Sequence, residues 1–335
     1  MKTKQYSIWN SRGTLTFFIV LIGILLFTGC EANNDQIDLS LLKTSSGSSD
    51  LIVEEYELVD VETDSPTHLE FTQWLTSEMI DKRTVWKNLN PDRTIQDINT
   101  VLSKYGFSIK HEPMLSSYTY RLLENYAILL NDIYPVGTAT ENQNRDDFAL
   151  LVQNYEGESY LLQKSGVQEW HPDDIFVYAP IYYQNELVYP VVDSNIQIVS
   201  ESGNVIYETS LPSNPVMAPI QSFQSWNGHW ILEKEGEVVM DGKSLNEELG
   251  FDEIFEWRII QGEPFFFVFA DESSTYSMVY AGKLLDQKYD DIAHYQCCEP
   301  AMFNPDGTSY MTWFYAVRDG KWYYVEAGIY PELEK

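Results

Sequence analysis

From about Tyr105 to the C-terminus, apolar and polar positions alternate in paired, strand-length runs, each pair folding about a tight polar turn. Six pairs stand out: Tyr118–Leu130, Phe148–Ser165, Leu187–Ser202, His229–Asp241, Pro264–Ala281 and Tyr310–Ala327. Turn dipeptides such as Glu235-Gly236 and Asp319-Gly320 sit inside them, and runs such as Trp322-Tyr323-Tyr324-Val325 suit β pairing. Ahead of the pairs the period changes. Ser65-Pro66, with capping-box spacing from Thr67 to Glu70, opens a helix whose Phe71, Trp74, Leu75 and Met79 share one face. A second helix starts at Asn90-Pro91, carries the stripe Ile95, Ile98, Val101, Leu102 and Tyr105, and stops at Lys104 and Gly106. The pattern thus predicts a short two-helix segment over 66–106 and an all-β domain over 107–335.

The strand pairs repeat. Gly166, Gly203, Gly242, Gly282 and Gly328 close successive units at steps of 37, 39, 40 and 46 residues. A second marker keeps a compatible spacing: Asp173-Asp174-Ile175, Asp252-Glu253-Ile254 and Asp290-Asp291-Ile292, each with an aromatic three residues past the Ile, and a fainter Asn131-Asp132-Ile133. A unit of about 40 residues made only of strands cannot bury both faces of its own sheet, and a ring of such sheets can. The expectation is a six-bladed β-propeller, with a five-bladed ring that leaves the first hairpin outside as the alternative.

The last two units carry a resemblance. Tyr289-Asp290-Asp291-Ile292, then Phe303-Asn304-Pro305-Asp306-Gly307, then Arg318-Asp319-Gly320-Lys321-Trp322 is similar to the WD40-like (TolB-type) propeller repeat, with Asn304 in place of its Ser and Thr308 in place of its Lys. The resemblance implies a propeller over roughly residues 106–335 and implies nothing catalytic.

The first thirty residues read as an address rather than fold. Lys2, Lys4 and Arg12 precede the apolar run Leu15–Phe27, and Phe27-Thr28-Gly29-Cys30 ends it with small residues before a cysteine. The run falls short of the roughly 20 residues a membrane span needs. It resembles a bacterial lipoprotein signal, which implies a signal peptide over 1–29, acylation at Cys30, and a chain lipid-anchored on the extracytoplasmic face of the cell membrane. Residues 30–65 are polar and acidic, with Thr44-Ser45-Ser46-Gly47-Ser48-Ser49 at their centre, and read as a flexible tether.

Charge removes one class of partner. Net charge is −30, and the leader contributes only positive groups, so the rest of the chain is more acidic still. Phosphate backbones need the opposite sign, which excludes nucleic acid. With 23 Tyr, 16 Phe and 9 Trp, the chain has ample aromatic material for packing between blades. Besides Cys30 the cysteines are the adjacent Cys297 and Cys298. They stand either as two thiols on opposite sides of the backbone or as a strained vicinal disulfide.

No catalytic motif emerges. The five histidines, His68, His111, His171, His229 and His294, show no paired metal-ligand spacing, and there is neither a nucleophile elbow nor a phosphate loop. No cofactor is indicated, Ca²⁺ excepted as a candidate. If the repeat places them on one rim, Asp173, Asp174, Asp252, Glu253, Asp290 and Asp291 would make an acidic crown able to hold Ca²⁺; the competing reading is ordinary turn capping. Likewise Trp170, Tyr178, Trp257 and Tyr295 would either share a ligand-gripping face or pack between blades. The functional expectation is a non-catalytic binding or scaffolding module at the bacterial envelope, engaging an envelope protein or a glycan. A glycan-acting hydrolase or lyase with acids in the ring channel is the alternative; it requires convergent, desolvated acids or His on the ring axis.

Overall fold

The computed structural model describes residues 39–42, 51–58, 95–112, 119–170, 178–212, 218–295 and 304–329. The chain divides into two compact units, 1–38 and 39–335, and the first lies wholly outside the described residues. Among the described residues no helix is long and apolar enough to cross a membrane.

The fold is an all-β propeller of antiparallel sheets, and the described residues form five of them, not six. The second sheet runs Ile181–Tyr183, Glu186–Val192, Asn195–Ser200, Val205–Ser210. The third is Ser222–Trp226, His229–Lys234, Glu237–Met240, Lys243–Ser244, and the fourth Glu253–Ile260, Glu263–Ala270, Thr275–Tyr280, Lys283–Tyr289. In each, sequence order is spatial order, so each strand leads by a short turn to its neighbour. All six expected hairpins are present.

The count falls to five because the first two expected units merge. Strand Ala127–Asn142 is continuous over 16 residues and pairs with Tyr120–Glu124 through its first half and Asp147–Asn154 through its second. Asn131-Asp132 was expected to start a new blade. Instead Asp132 takes a left-handed φ of 57° and is absorbed as a bulge, where the register slips between Tyr120 and Leu122. A six-stranded first sheet results, with hairpin Phe107–His111/Tyr120–Glu124 as its extension. That hairpin, the helix over 95–102 and the body of the sheet share one core of Ile98, Leu102, Phe107, Ile109, Leu122, Phe148 and Leu150. The second expected helix is therefore present. It ends at Gly106, φ 84°, and its Ile98 and Leu102 are buried as the stripe predicted. The first, over 66–79, lies outside the described residues.

The fifth sheet departs from the expected tether. Ile52–Glu57 is a strand, not flexible chain. It pairs with Lys321–Gly328 in unbroken register from Ile52↔Gly328 to Glu57↔Tyr323, completing a sheet with Met311–Arg318, Asp291–Ile292 and Asp306–Gly307. The reason is local. Ile52, Val53 and Tyr56 suit a strand, and their acidic neighbours find cations: Glu55 takes both ends of the Arg318 guanidinium at 2.8 and 3.1 Å and accepts from the Tyr289 hydroxyl at 2.6 Å, while Glu57 meets Lys321 at 2.8 Å. The outer strand of the last sheet thus comes from the N-terminal side of the domain.

Packing between sheets follows from strands buried on both faces. Glu263–Ala270 reads EPFFFVFA, a continuous apolar run. Phe266 and Val268 point to a core shared with Trp226, Ile231 and Val238 of the third sheet, while Phe265 and Phe267 point to one shared with Phe314, Ala316 and Val325 of the fifth. Ile181, Val188 and Ile196 meet Trp230 and Leu232 between the second and third sheets, and Ala149 and Leu161 meet Leu187 between the first and second. A short helix, Leu245–Leu249, capped by Ser244 and closed at Gly250, drops Leu245 and Leu249 into the core of the third and fourth sheets.

Candidate functional site: the axial cavity

Each sheet contributes its inner edge to one cavity of about 780 Å³. The segments are 137–140, 179–181, 222–225, 258–259, 261–262 and 307–310, joined by Asp97 from the helix. This is the ring axis, and its volume lies in the range of small-ligand sites. The first sheet reaches it through a second bulge, where the register slips between Val136 and Thr140 and Gly137 has φ 75°. Neighbouring inner edges are bonded to one another: Tyr182 N–H donates to Thr140 Oγ1 at 3.3 Å, the Gln224 amide to the Trp257 carbonyl at 2.9 Å, and Gln261 N–H to the Ser309 carbonyl at 2.9 Å.

The wall mixes hydroxyl, amide and backbone groups with the apolar Pro180, Ile181, Phe223 and Ile259, and among the described residues its charged side chains are Asp97 and Arg258. Arg258 is 19% exposed and pairs with Glu256. Burial pulls its pKa down to about 10, against the upward pull of Asp306 and Glu233. Gly307 leaves the space its guanidinium fills. Glu233 lies behind this wall and is 2% exposed. It accepts from Glu256 N–H at 2.8 Å, Trp257 N–H at 2.8 Å and the Tyr295 hydroxyl at 2.6 Å. Burial raises its pKa to about 7, with the Tyr295 and Trp257 bonds and the nearby Arg258 and His294 pulling the other way. His294 stacks on Phe255 with ring centroids 3.8 Å apart and meets Glu253 at 2.9 Å.

The expected rim acids have other work. Asp252 accepts Asp271 N–H at 2.6 Å, and Asp290 accepts Asp319 N–H at 2.7 Å. In both sheets the acid before the inner strand caps the turn that follows the strand paired with it. Glu253 pairs with His294, and burial raises the pKa of Asp291. Among the described residues no three His, Cys, Asp or Glu side chains are grouped as metal ligands. Asp173, Asp174, Cys30, Cys297 and Cys298 lie outside the described residues.

Each of the four aromatics packs on its own neighbours. Trp257 is buried and stacks on Phe266 at 5.1 Å between the third and fourth sheets. Tyr295 is tied to Glu233, and Tyr178 packs beside Ile220 in the core of the second and third sheets. Trp170 meets Tyr189 edge-on at 4.9 Å. Sequence reasoning missed the cavity residues themselves. Arg258 directly follows the repeat's aromatic, Trp257, and Gly307 ends the Pro305-Asp306-Gly307 signature; the repeat register was the available signal for both.

No protein-family model matches the chain, and no curated protein matches it in sequence. Solved structures similar to it include BBS1N in complex with ARL6DN (12% identity, 48% of this chain and 61% of that one, TM-score 0.27). Hsv2 from Kluyveromyces lactis is similar at 10% identity, over 59% of this chain and 64% of that one, with TM-score 0.31. BamB from Moraxella catarrhalis is similar at 10% identity, over 64% of this chain and 80% of that one, with TM-score 0.28. The chain spans less than two thirds of the length of the first two. Likenesses this distant carry no argument about ligand, partner or activity.

Proposed function

We propose that this chain is a cell-surface lipoprotein, held by a lipid at Cys30 on the extracytoplasmic face, whose propeller binds an envelope ligand or partner through its axial cavity without transforming it. The observation that carries the binding reading is the composition of the cavity wall. All five inner edges converge on it, yet among the described residues its charged side chains are a single acid and a single arginine. Hydrolysis or elimination on a glycan needs two acids, or an acid and a base, facing one substrate. The strongly desolvated carboxylate near the axis, Glu233, is spent on two backbone amides and a tyrosine behind the wall. The leader and acidic composition support the location; fixed polar groups around a walled volume support recognition.

The test is retention of envelope material by the full chain in detergent, compared with Ser225→Trp, which fills the cavity from an exposed inner-edge position. The reading expects a component held by the parent and lost from S225W. Equal retention by both would place binding elsewhere, and turnover of a retained glycan would replace binding with catalysis.

A further inference from the structure

Arg258 is the one cation in the cavity wall among the described residues. It follows a bulge in Glu253–Ile260, where the register slips between Phe255 and Arg258. Glu256 occupies that bulge at φ 56°, a left-handed conformation that glycine or asparagine adopts more readily. The bulge backbone is fixed from behind, because the N–H groups of Glu256 and Trp257 both donate to Glu233. The Glu256 side chain is therefore not needed to hold the bulge. It pairs with the Arg258 guanidinium instead.

The other carboxylates near Arg258 have hydrogen-bond donors of their own. Asp306 accepts Gly307 N–H at 2.7 Å, and Glu233 already has three donors. Arg258 Nε has no partner among the described residues. Glu256 and Arg258 are both partly exposed, at 23% and 19%. Arg258 is costly to leave without a carboxylate, and exchanging one carboxylate for another preserves its charge-assisted bonds.

We propose that the axial cavity takes a ligand bearing a carboxylate, which displaces Glu256 and docks on Arg258. This rests on reading the cavity as the binding site. Glu256 shows that the Arg258 guanidinium takes a carboxylate partner, and the hydroxyls and amides of Gln224, Ser225, Thr308 and Tyr310 in the cavity wall suit a polar ligand body. Two sources supply such a group at this size: the α-carboxylate of a short peptide and the carboxylate of a uronic acid.

Calorimetry on the full chain in detergent separates them, with probes at roughly 1 mM, where millimolar affinities are measurable. The probes are Ala-Ala-Ala and its C-terminal amide, and digalacturonate and its methyl ester. One free acid is expected to bind about tenfold tighter than its neutral counterpart. Arg258→Gln should abolish that preference, and Glu256→Gln, which removes the internal competitor, should strengthen it. Binding of the peptide acid or of the uronate identifies the source. The proposal is overturned if acid and neutral forms bind alike, if the preference survives R258Q, if E256Q leaves the affinity unchanged, or if no probe binds. Should R258Q fail to fold, E256Q still decides the matter. Envelope retention that is lost in S225W but indifferent to R258Q and E256Q would leave the cavity-binding reading standing and remove only the carboxylate.

Discussion

Glu233, on the third sheet, accepts the backbone N–H of Trp257, on the fourth, at 2.8 Å. One buried carboxylate thereby ties two blades together and sets the bulge that presents Arg258 to the ring axis. Its pKa is raised to about 7, chiefly by burial. A carboxyl group with a raised folded pKa takes up protons in the native state that the unfolded chain has already released. Its contribution to stability is fully present below the ordinary glutamate value and is lost as pH rises through about 7. Relative to Glu233→Gln, the parent should lose on the order of 3 kcal/mol between pH 4 and 8. Paired denaturant titrations across that range check it; parallel pH profiles would show that the carboxyl does not titrate in this window.

The fifth sheet depends on Glu55. Replacing it with alanine strips Arg318 of a two-point partner and leaves the buried Tyr289 hydroxyl without its acceptor. The expected loss is about 1–3 kcal/mol. Hydrogen exchange should localise it, with faster exchange in Lys321–Gly328 than in the second sheet. A uniform change across all sheets would contradict a local role.

Gly307 is sterically required. A Cβ there would lie 2.6 Å from the Met311 carbonyl and would run into the Arg258 guanidinium. Gly307→Ala should cost about 1–3 kcal/mol through overpacking. A double variant with Arg258→Gln should recover part of that loss, and strict additivity would show that the two do not meet.

The paired acids of the repeat should behave as caps. Asp252→Ala and Asp290→Ala each remove an acceptor from the turn after the paired strand, at Asp271 and Asp319. Each should cost about 1 kcal/mol. Thermal melts with and without Ca²⁺ are the check: the deficits should be similar and insensitive to the ion, whereas a Ca²⁺-dependent shift confined to the parent would restore the cation reading.

Much of the architecture is legible along the chain because β pairing and two-sided burial leave a local record. The Phe265 to Phe267 run announces a strand covered on both faces, and the stripe Ile98/Leu102 announces the second helix. Blade count was not legible, since Asp132 initiates a turn in one context and sits in a bulge in another; pairing with Tyr120–Glu124 decides between them. The strand Ile52–Glu57 was hidden for a similar reason. Its charges look solvated until Arg318 and Lys321, more than 260 residues away, arrive beside them. The cavity is the least legible part. Its wall is a mixture of backbone, small polar and apolar side chains and bulges, types that carry no motif, and their convergence exists only once the ring has formed.

The central claim is that recognition happens on the axis. A crystal structure of the chain with its retained envelope component tests this most directly. The account predicts density for that component among the five inner edges, within contact of Gln224 and Tyr310. Density only on the outer strands or on an outer face of the ring, with the axis empty, would contradict it.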